Sequence, residues 1–278
     1  MKIARLLVDG KESYGFFNKR IIVKEEVENM LDIKLPNNMD EFLLDIKDIS
    51  IPSDAKYLTD YKLLPPITKP SKIICLGFNY LDHSKEQNIK PPDEPVIFMK
   101  PRTTLIGAFD DIIAPRLVKE LDYEAEMAFV ISKRCKNVNK REAMKYVLGY
   151  MVFNDVSARD IQFKDKQWTR GKSFDTFAPC GPYLTTKDEI DDPYNLRIIT
   201  KINGEVRQNS YTSKMNLKIE DIIESLSKVM TLEPLDIIAT GTPAGTAMFS
   251  NKRFLNDNDL VEIEIDKLGQ LANRVRFV

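Results

Sequence analysis

Short apolar stretches alternate along the chain with polar turns, and together they predict a mixture of strands and helices. At the N-terminus the pattern indicates a hairpin whose turn is Asp9-Gly10, because Asp-Gly suits a tight turn between two strands. A buried strand is predicted to end at Gly77, and strand-like segments dominate from about residue 180 onward. Further strands are predicted at "LDYEAEMAFVIS", "YMVFNDVSA", "LRIITKING", "DIIATGT", "DLVEIEID" and "NRVRFV".

Helical patterns are confined to a few segments. Helices are predicted at "VKEEVENML", "DEFLLDI", "LDHSKEQN", "KIEDIIESLSKVM" and, with Asn139 in the N-cap position, "NKREAMKYVLGY". The proline-rich stretch over residues 63–72 breaks regular structure. We therefore predict a small N-terminal region of residues 1–68 and a larger domain of residues 69–278. The alternative is a surface loop inside a single domain.

Composition narrows the class of protein. The 278 residues carry a net charge of −1 at pH 7, with 43% hydrophobic and 30% charged residues, and the three cysteines lie far apart. Such a chain has no basic field to attract nucleic acid, no apolar run of about 20 residues to cross a bilayer, and cysteine usage typical of reduced thiols. We therefore expect a cytoplasmic globular protein that binds neither nucleic acid nor a membrane.

Three carboxylates stand out because they lie among apolar residues. Glu124 and Glu126 are two apart in a predicted strand, so their side chains share one face. Asp155 follows the apolar segment "YMVF" by one residue. An ionised carboxylate is costly to bury without a cation, so the trio favours a hard divalent ion: Mg²⁺, Mn²⁺ or Ca²⁺. The alternative is a solvent-exposed face for the two glutamates and a turn-capping role for Asp155.

His83 and Glu86 form a second candidate group. They are three residues apart in a predicted helix, which places them on one face. A carboxylate beside an imidazole fixes its tautomer and supports its protonated form, as a general base requires. The alternative is a surface histidine with an incidental ion pair.

Five further polar residues are candidates for contacting a substrate. Arg159 and Gln162 are three apart, and an arginine there suits a bidentate clamp on a carboxylate. Lys100 and Lys172 adjoin apolar or aromatic residues, where a lysine can stabilise developing negative charge. Thr242 lies in a Gly-Thr-Pro turn after an apolar strand. For each of the five, an ordinary loop or surface role is the alternative.

In their order along the chain, these segments resemble the fumarylacetoacetate hydrolase family. The resemblance runs from about residue 70 to the C-terminus and rests on "GFNYLDHSKE", "PVIFMKP", "DYEAEMAFVI", "GYMVFNDVSARDIQ", "WTRGKSFDTFAPCGP", "TLEPLDIIATGTPAG" and "LVEIEI". It is strongest for the small acylpyruvate hydrolase, oxaloacetate decarboxylase and homoprotocatechuate-pathway isomerase/decarboxylase types. The resemblance implies a strand-rich α+β fold, a mixed β-sandwich roll with peripheral helices and a small N-terminal α/β appendage, usually as a homodimer.

The resemblance also implies a role for each candidate residue and Mg²⁺ or Mn²⁺ as the cofactor. The implied metal ligands are Glu124, Glu126 and Asp155; the implied catalytic residues are His83, Glu86 and Lys172; the implied substrate-binding residues are Lys100, Arg159, Gln162 and Thr242.

The resemblance leads us to interpret the protein as a metal-dependent hydrolase that cleaves a C–C bond in acylpyruvate-type 2,4-dioxo acids through a metal-stabilised enolate. The first alternative is a decarboxylase or isomerase of oxaloacetate or hydroxyheptadienedioate type, which shares that enolate. A 2-keto-3-deoxy sugar-acid dehydratase ranks lower, because such members tend to lack the "NYxxHxxE" stretch present here. A non-catalytic ligand-binding homologue ranks last, because the full set of candidate residues is present.

Two departures from the family pattern carry expectations of their own. Leu235 and Asn258 stand where the family often has glycine. Asparagine tolerates a left-handed backbone conformation but leucine does so poorly, so we expect the turn at Leu235 to be rebuilt. The segment "GTAMFSNKRF" after the Thr-Pro turn is also unusual, and we expect it to border the site and to affect the choice of substrate.

Overall fold

The computed structural model describes residues 1–46, 49–51 and 54–278. Its strands are β1 (Lys2–Val8), β2 (Lys11–Asn18), β3 (Arg20–Val23), β4 (Lys62–Leu64), β5 (Ile73–Gly77), β6 (Val96–Lys100), β7 (Leu105–Ile106), β8 (Ile112–Ala114), β9 (Leu121–Asp122), β10 (Ala125–Ile131), β11 (Val147–Asn154), β12 (Ser157–Ala158), β13 (Ala178–Thr186), β14 (Arg197–Ile202), β15 (Glu205–Tyr211), β16 (Ile237–Ala239), β17 (Leu260–Ile265) and β18 (Gly269–Phe277).

The helices are short and lie at the margins of the sheets. The α-helices are α1 (Lys24–Leu31), α2 (Met39–Leu44), α3 (Leu81–Glu86), α4 (Arg159–Asp165), α5 (Thr169–Lys172) and α6 (Ile219–Val229), and 3₁₀ helices occupy Arg102–Thr104, Lys140–Tyr146, Lys187–Glu189 and Thr212–Lys214. Among the residues that the structure describes, no helix has the length and apolar character needed to cross a membrane.

The largest sheet runs in the order β3-β2-β1-β13-β11-β10-β16-β5-β6, with β4 beside β1 and β7 beside β13. The predicted hairpin is confirmed: β1 and β2 pair antiparallel, and Asp9 and Gly10 turn between them with positive φ. β1 also pairs with β13, where Lys2 lies opposite Thr185. The N-terminal strands therefore extend the same sheet as the rest of the chain, while the domain boundary at residue 68 stays a prediction.

A second sheet, in the order β15-β14-β17-β18-β8, packs on one face of the first. Phe129 of β10 shares a buried cluster with Ile198 of β14 and Ile263 of β17. On the other face, Val130 packs in a cluster with Phe42 of α2. β10 is thus buried on both sides, which explains its nearly continuous apolar sequence. The predicted strand-rich α+β fold with peripheral helices is confirmed.

One predicted helix is largely wrong. Residues Lys140–Tyr146 form a 3₁₀ helix, which Asn139 caps by accepting a hydrogen bond from the Arg141 N–H. Val147 onward belongs instead to β11, which is buried along its whole length and paired with β10 and β13. Pairing on both edges and burial of apolar side chains outweigh the local helical pattern there.

The expectation that the turn at Leu235 is rebuilt is wrong. Leu235 takes the left-handed conformation, with φ of 67°, and its N–H donates to the Ile131 carbonyl. Its side chain is buried in the cluster that contains Val130. Burying a leucine side chain is worth about 1.5–3 kcal/mol, which offsets the roughly 1–2 kcal/mol cost of a left-handed L-residue. Asn258 has φ of 69°, as expected for asparagine.

We expect Leu235→Gly to lower the free energy of unfolding by about 1–3 kcal/mol, because the lost burial exceeds the relieved backbone strain. Chemical denaturation would measure the change. Asn258→Gly is the matched control: it relieves a similar φ at an exposed residue and should stay within about 1 kcal/mol of the parent. A Leu235→Gly variant as stable as the parent would contradict this account.

Candidate active site

The three acidic residues predicted to share a site lie together and are buried. Glu124 immediately precedes β10, Glu126 lies within it, and Asp155 immediately follows β11. The antiparallel register of these strands brings them together, since the Asp155 N–H donates to the Glu124 carbonyl at 2.9 Å. One carboxylate oxygen from each lies within 4.8 Å of the others. The alternative of a solvent-exposed pair and a turn cap is therefore wrong.

Cationic side chains from three elements surround this acidic trio. Lys172, at the end of α5, donates to Glu124 and to Asp155, each at 2.7 Å. Lys100, at the end of β6, donates to Asp155 at 2.6 Å. Arg159, at the start of α4, places Nη2 2.6 Å from Glu124 Oε1. Two of the three carboxylates thus have cationic partners inside the protein.

The shifted pKa values follow from these contacts. Burial alone would raise the pKa of Glu124, but Lys172 and Arg159 outweigh it and hold that pKa well below its usual range. Burial alone would lower the pKa of Lys172, but Asp155 and Glu124 outweigh it and raise the pKa. Both groups are therefore charged at neutral pH.

Glu126 is the exception within the trio. Its Oε2 accepts the Gly241 N–H at 2.8 Å, while its Oε1 is buried with no hydrogen-bond partner among the described residues. Burial, followed by the negative charges of Asp155 and Glu124, raises the pKa of Glu126 well above its ordinary value. A buried carboxylate oxygen without a partner, beside two other carboxylates, fits a divalent cation bound by oxygen ligands.

His83 and Glu86 lie on α3, as predicted, and contact each other. His83 Nδ1 is 3.0 Å from Glu86 Oε2, and the imidazole is buried, with its ring edge-to-face against Phe249. Glu86 also accepts the Gly245 N–H at 3.2 Å. With Nδ1 directed to a carboxylate, the neutral imidazole leaves Nε2 as its free acceptor.

A single cavity collects most of the predicted site residues. Those that line it are His83, Glu124, Arg159, Gln162, Lys172 and Thr242. The predicted residues that do not line it are Glu86, Lys100, Glu126 and Asp155. Lys100 donates to Asp155 and also to the Val156 carbonyl at 3.1 Å. The unusual segment after the Thr-Pro turn borders the cavity through Phe249, as expected.

The model of the fumarylacetoacetate hydrolase C-terminal family matches residues 72–276. The mitochondrial oxaloacetate tautomerase of Xenopus laevis is 46% identical over 258 residues, covering 89% of this chain and 81% of that protein. The chain belongs to the fumarylacetoacetate hydrolase family. The resemblance noted from the motifs is therefore confirmed.

Two solved structures of the family cover the whole chain. The fumarylacetoacetate hydrolase of Exiguobacterium antarcticum superposes with a TM-score of 0.88 at 34% identity, and the alignment covers all of both chains. The 2-hydroxyhepta-2,4-diene-1,7-dioate isomerase of Mycobacterium marinum superposes with a TM-score of 0.77 at 35% identity and is covered over 98% of its length. The relatives are enzymes, and a tautomerase and an isomerase among them agree better with the isomerase/decarboxylase alternative than with C–C hydrolysis.

The aromatic side of the cavity was not predicted from the sequence. Trp168 packs edge-to-face against Phe78 and Phe98, with ring centroids 5.1 and 5.5 Å apart. Gly77 makes this packing feasible, because a Cβ there would lie 2.3 Å from the indole. The sequence signal was the lone tryptophan of the chain, ahead of "TRGK".

We expect Gly77→Ala to displace the indole of Trp168 and to lower the free energy of unfolding by about 1–3 kcal/mol, as overpacking does. Because Trp168 is the single tryptophan, its fluorescence emission reports the displacement directly. Gly204→Ala is the control: a Cβ there meets nothing within 4 Å, so stability falls through its positive φ alone and emission stays unchanged. Unchanged emission in Gly77→Ala would count against the packing argument.

Asp122 is a second residue that sequence reasoning missed. Its buried carboxylate accepts hydrogen bonds from Arg159 Nε at 2.8 Å and from the backbone N–H groups of Ala247 and Met248 at 2.8 and 3.1 Å. It therefore joins the arginine of the site to the segment that carries Phe249. The available signal was its position two residues before Glu124, which puts Asp122 on the same face of a strand as Glu124 and Glu126. That spacing does not reveal which residues its carboxylate contacts.

Gln208 is a third missed residue, and it holds Thr242 in place. Its buried side chain accepts from the Ala125 N–H at 3.1 Å and donates through Nε2 to Thr242 Oγ1 at 2.8 Å. Because Thr242 accepts from Gln208, its own O–H is free to donate into the cavity. No local pattern distinguishes Gln208 from other polar residues of a strand.

Proposed function

We propose that the protein is a divalent-metal-dependent enzyme that interconverts the keto and enol forms of a small 2-oxo dicarboxylic acid of the oxaloacetate class. The observation that carries the proposal is that His83, Glu124 and Lys172 line one cavity. Behind them, Glu86 contacts His83, and Glu126 and Asp155 complete the acidic trio with Glu124. The 46% identity to an oxaloacetate tautomerase supports the choice of reaction.

In this proposal Glu124, Glu126 and Asp155 hold a Mg²⁺ or Mn²⁺ ion. When bound, the cation supplies positive charge that stabilises the negative charge developing on the 2-oxo group of the substrate. Lys100 acts as a positioning residue, because its hydrogen bond to Asp155 fixes one of the proposed ligands. The hydrogen bonds that Lys100 and Lys172 donate to Glu124 and Asp155 keep these carboxylates charged and oriented.

The side chains of the cavity carry out the proton transfer. His83, oriented by Glu86, takes a proton from C3 of the keto form through Nε2, and the electron pair of that C–H bond moves into the enolate. Lys172 uses two N–H groups on Glu124 and Asp155, which leaves its third to donate to the enolate oxygen. Lys172 gives that proton to the oxygen to form the enol, and water carries the proton from the His83 imidazolium back to the Lys172 amine. The reverse path regenerates the ketone.

The remaining residues hold the substrate. Arg159 keeps Gln162 in position through a 3.1 Å hydrogen bond from Nη1 to Oε1, and together they contact the distal carboxylate. Thr242 donates its hydroxyl hydrogen to a carboxylate oxygen. The aromatic rings of Trp168 and Phe98 exclude water from this side, which strengthens the charge interactions inside the cavity.

C–C hydrolysis of acylpyruvates is the second candidate, and the likeness to a structure named as a fumarylacetoacetate hydrolase favours it. In that reaction His83 takes a proton from water, and the hydroxide attacks the distal carbonyl. The C–C bond then breaks, its electron pair leaves with the pyruvate enolate, and the His83 imidazolium returns the proton to C3 of that enolate. As expected from the sequence, we also propose that the protein is cytoplasmic and forms a homodimer.

The test uses enol-oxaloacetate with purified protein and either Mg²⁺ or Mn²⁺. Loss of the enol absorbance, coupled to malate dehydrogenase, which consumes the keto form, measures tautomerisation. Release of CO₂ measures decarboxylation, and release of pyruvate from an acylpyruvate measures hydrolysis. Pyruvate release without acceleration of tautomerisation would replace the first candidate with the second, and inactivity in all three assays would overturn both.

A further inference from the structure

A second cavity, of about 530 Å³, lies apart from the catalytic one. Four basic side chains line it: Lys119, Arg207, Lys252 and Arg253. Among the described residues, the two cavities share no lining residue. Its volume falls within the range of about 300–1,000 Å³ typical of small-molecule sites.

Arg207 of β15 is the most unusual residue of this second cavity. Its side chain is 11% exposed, and its contact with an acid is a long one, 3.4 Å from Nη2 to Glu205 Oε2. Nε and Nη1 are buried without a hydrogen-bond partner in the described part of the chain. A buried guanidinium with unused N–H groups is costly, and an oxyanion is the partner that its planar donor geometry fits.

Positive charge exceeds negative charge around the cavity. Glu205 is already engaged by Arg253, which binds both of its oxygens at 2.6 and 2.7 Å. Asp259 is the one acidic residue among the described lining residues, and it accepts hydrogen bonds from Asn203 and from the Asn256 N–H. Four cations therefore face two carboxylates, which leaves an excess of about two positive charges at neutral pH.

The backbone beneath the cavity belongs to β15. β15 pairs with β14 on both sides of Arg207, and a register shift between the pairs Thr200–Gln208 and Lys201–Val206 leaves Arg207 itself without a partner in β14. The Arg207 carbonyl packs so closely on Gly245 that a Cβ there would lie 2.2 Å from it. Gly245 has φ of +101° and its carbonyl accepts the Tyr123 hydroxyl at 3.0 Å. Arg207 therefore lies at an irregular position of β15, where its carbonyl packs against the Gly245 turn.

We propose that this cavity binds a small anion carrying at least two negative charges on phosphate or carboxylate groups. Arg207 contributes the charge of its guanidinium from the wall of the cavity, and Lys252 and Lys119 complete the charge balance from the rim. Lys252 makes no ion pair among the described residues, and Lys119 Nζ donates to the Arg116 carbonyl. This site is independent of the reaction proposed for the catalytic cavity.

Isothermal titration calorimetry with pyrophosphate and with tricarballylate, at constant ionic strength and without divalent ions, tests the proposal. We expect saturable binding of at least one of the two to the parent protein, with the better probe identifying phosphate or carboxylate as the preferred group. Arg207→Gln and Lys252→Gln should each weaken that binding by about tenfold or more. The matched control is Arg197→Gln, which removes an exposed arginine of the neighbouring strand β14 that does not line the cavity.

Absence of saturable binding of both probes to the parent protein would overturn the proposal. So would binding by Lys252→Gln as tight as that of the parent, or equal weakening by Arg197→Gln, which would indicate general attraction to positive charge. Lys252 is exposed, so its replacement leaves the fold intact even if the partly buried Arg207 proves necessary for folding. A thermal melt of each variant distinguishes weaker anion binding from loss of folding.

Discussion

Glu126→Gln is expected to stay folded and to lose at least about 100-fold in affinity for Mg²⁺ or Mn²⁺. Glu126 has no cationic partner among the described residues, and its Oε1 makes no hydrogen bond there. An amide of the same shape leaves the Gly241 N–H bonded through its carbonyl oxygen. The substitution removes the negative charge to which a divalent ion would bind. The metal-free variant should therefore match the parent in stability within about 1 kcal/mol.

Asp155→Asn is the control that separates metal binding from folding. Asp155 accepts from Lys100 and from Lys172, so removing its charge leaves two buried ammonium groups poorly compensated. Breaking a buried ion pair in this way costs about 3–5 kcal/mol. We expect the metal-free Asp155→Asn protein to melt well below the parent, while metal-free Glu126→Gln does not. Calorimetric titration with Mn²⁺ and thermal melts of the metal-free proteins measure both effects. Equal stability losses in the two variants would contradict the assignment of Glu126 as the unpaired ligand.

The acidic trio shows what the sequence could predict. A two-residue period along an apolar strand placed Glu124 and Glu126 on one face, and Asp155 was added because it follows the apolar segment "YMVF". What joins them is the register between β10 and β11, in which Ala125 lies opposite Asn154. That register belongs to the pairing of two strands that are separated along the chain, and it was not predicted from the sequence.

Contacts between distant segments were not predictable in the same way. Lys172 was recognised as a candidate, but its bridge between Glu124 and Asp155 depends on where α5 packs, which no local pattern encodes. The pairing of β1 with β13 joins residues separated by more than 180 positions, as between Lys2 and Thr185. Leu235 was mispredicted for a similar reason. Its left-handed backbone conformation is unfavourable for leucine, but burial of its side chain against residues distant in sequence stabilises that conformation.

Lys100 shows that the sequence indicated the place of a residue on a strand but not whether its side chain faces the cavity. Its neighbours in "VIFMKP" predicted a lysine at the end of an apolar strand, and β6 ends at Lys100. The strand end directs the ammonium toward Asp155 and the Val156 carbonyl rather than into the cavity. Whether a side chain points toward a cavity depends on how neighbouring elements pack, and a local sequence pattern does not predict that packing.

His83→Ala is expected to reduce kcat for enol–keto interconversion by about 10²–10⁴-fold. The proposed reaction needs a group that takes and returns a proton at C3, and His83 is the imidazole that lines the cavity. Its Nδ1 is engaged by Glu86, so Nε2 performs the transfer. Affinity for Mn²⁺ should change little, because His83 is not among the acidic trio. Stopped-flow measurement of enol absorbance gives the rate.

Phe249→Leu is the matched control for this variant, because Phe249 packs on the His83 ring and carries no proton-transfer group. We expect its rate to fall by less than about tenfold, since leucine keeps an apolar side chain against His83 and removes no proton-transfer group. Added imidazole should restore part of the His83→Ala rate by entering the space left by the side chain, and it should not affect Phe249→Leu. Full turnover by His83→Ala without imidazole would remove the His83–Glu86 pair from the mechanism and transfer the proton to another group of the cavity.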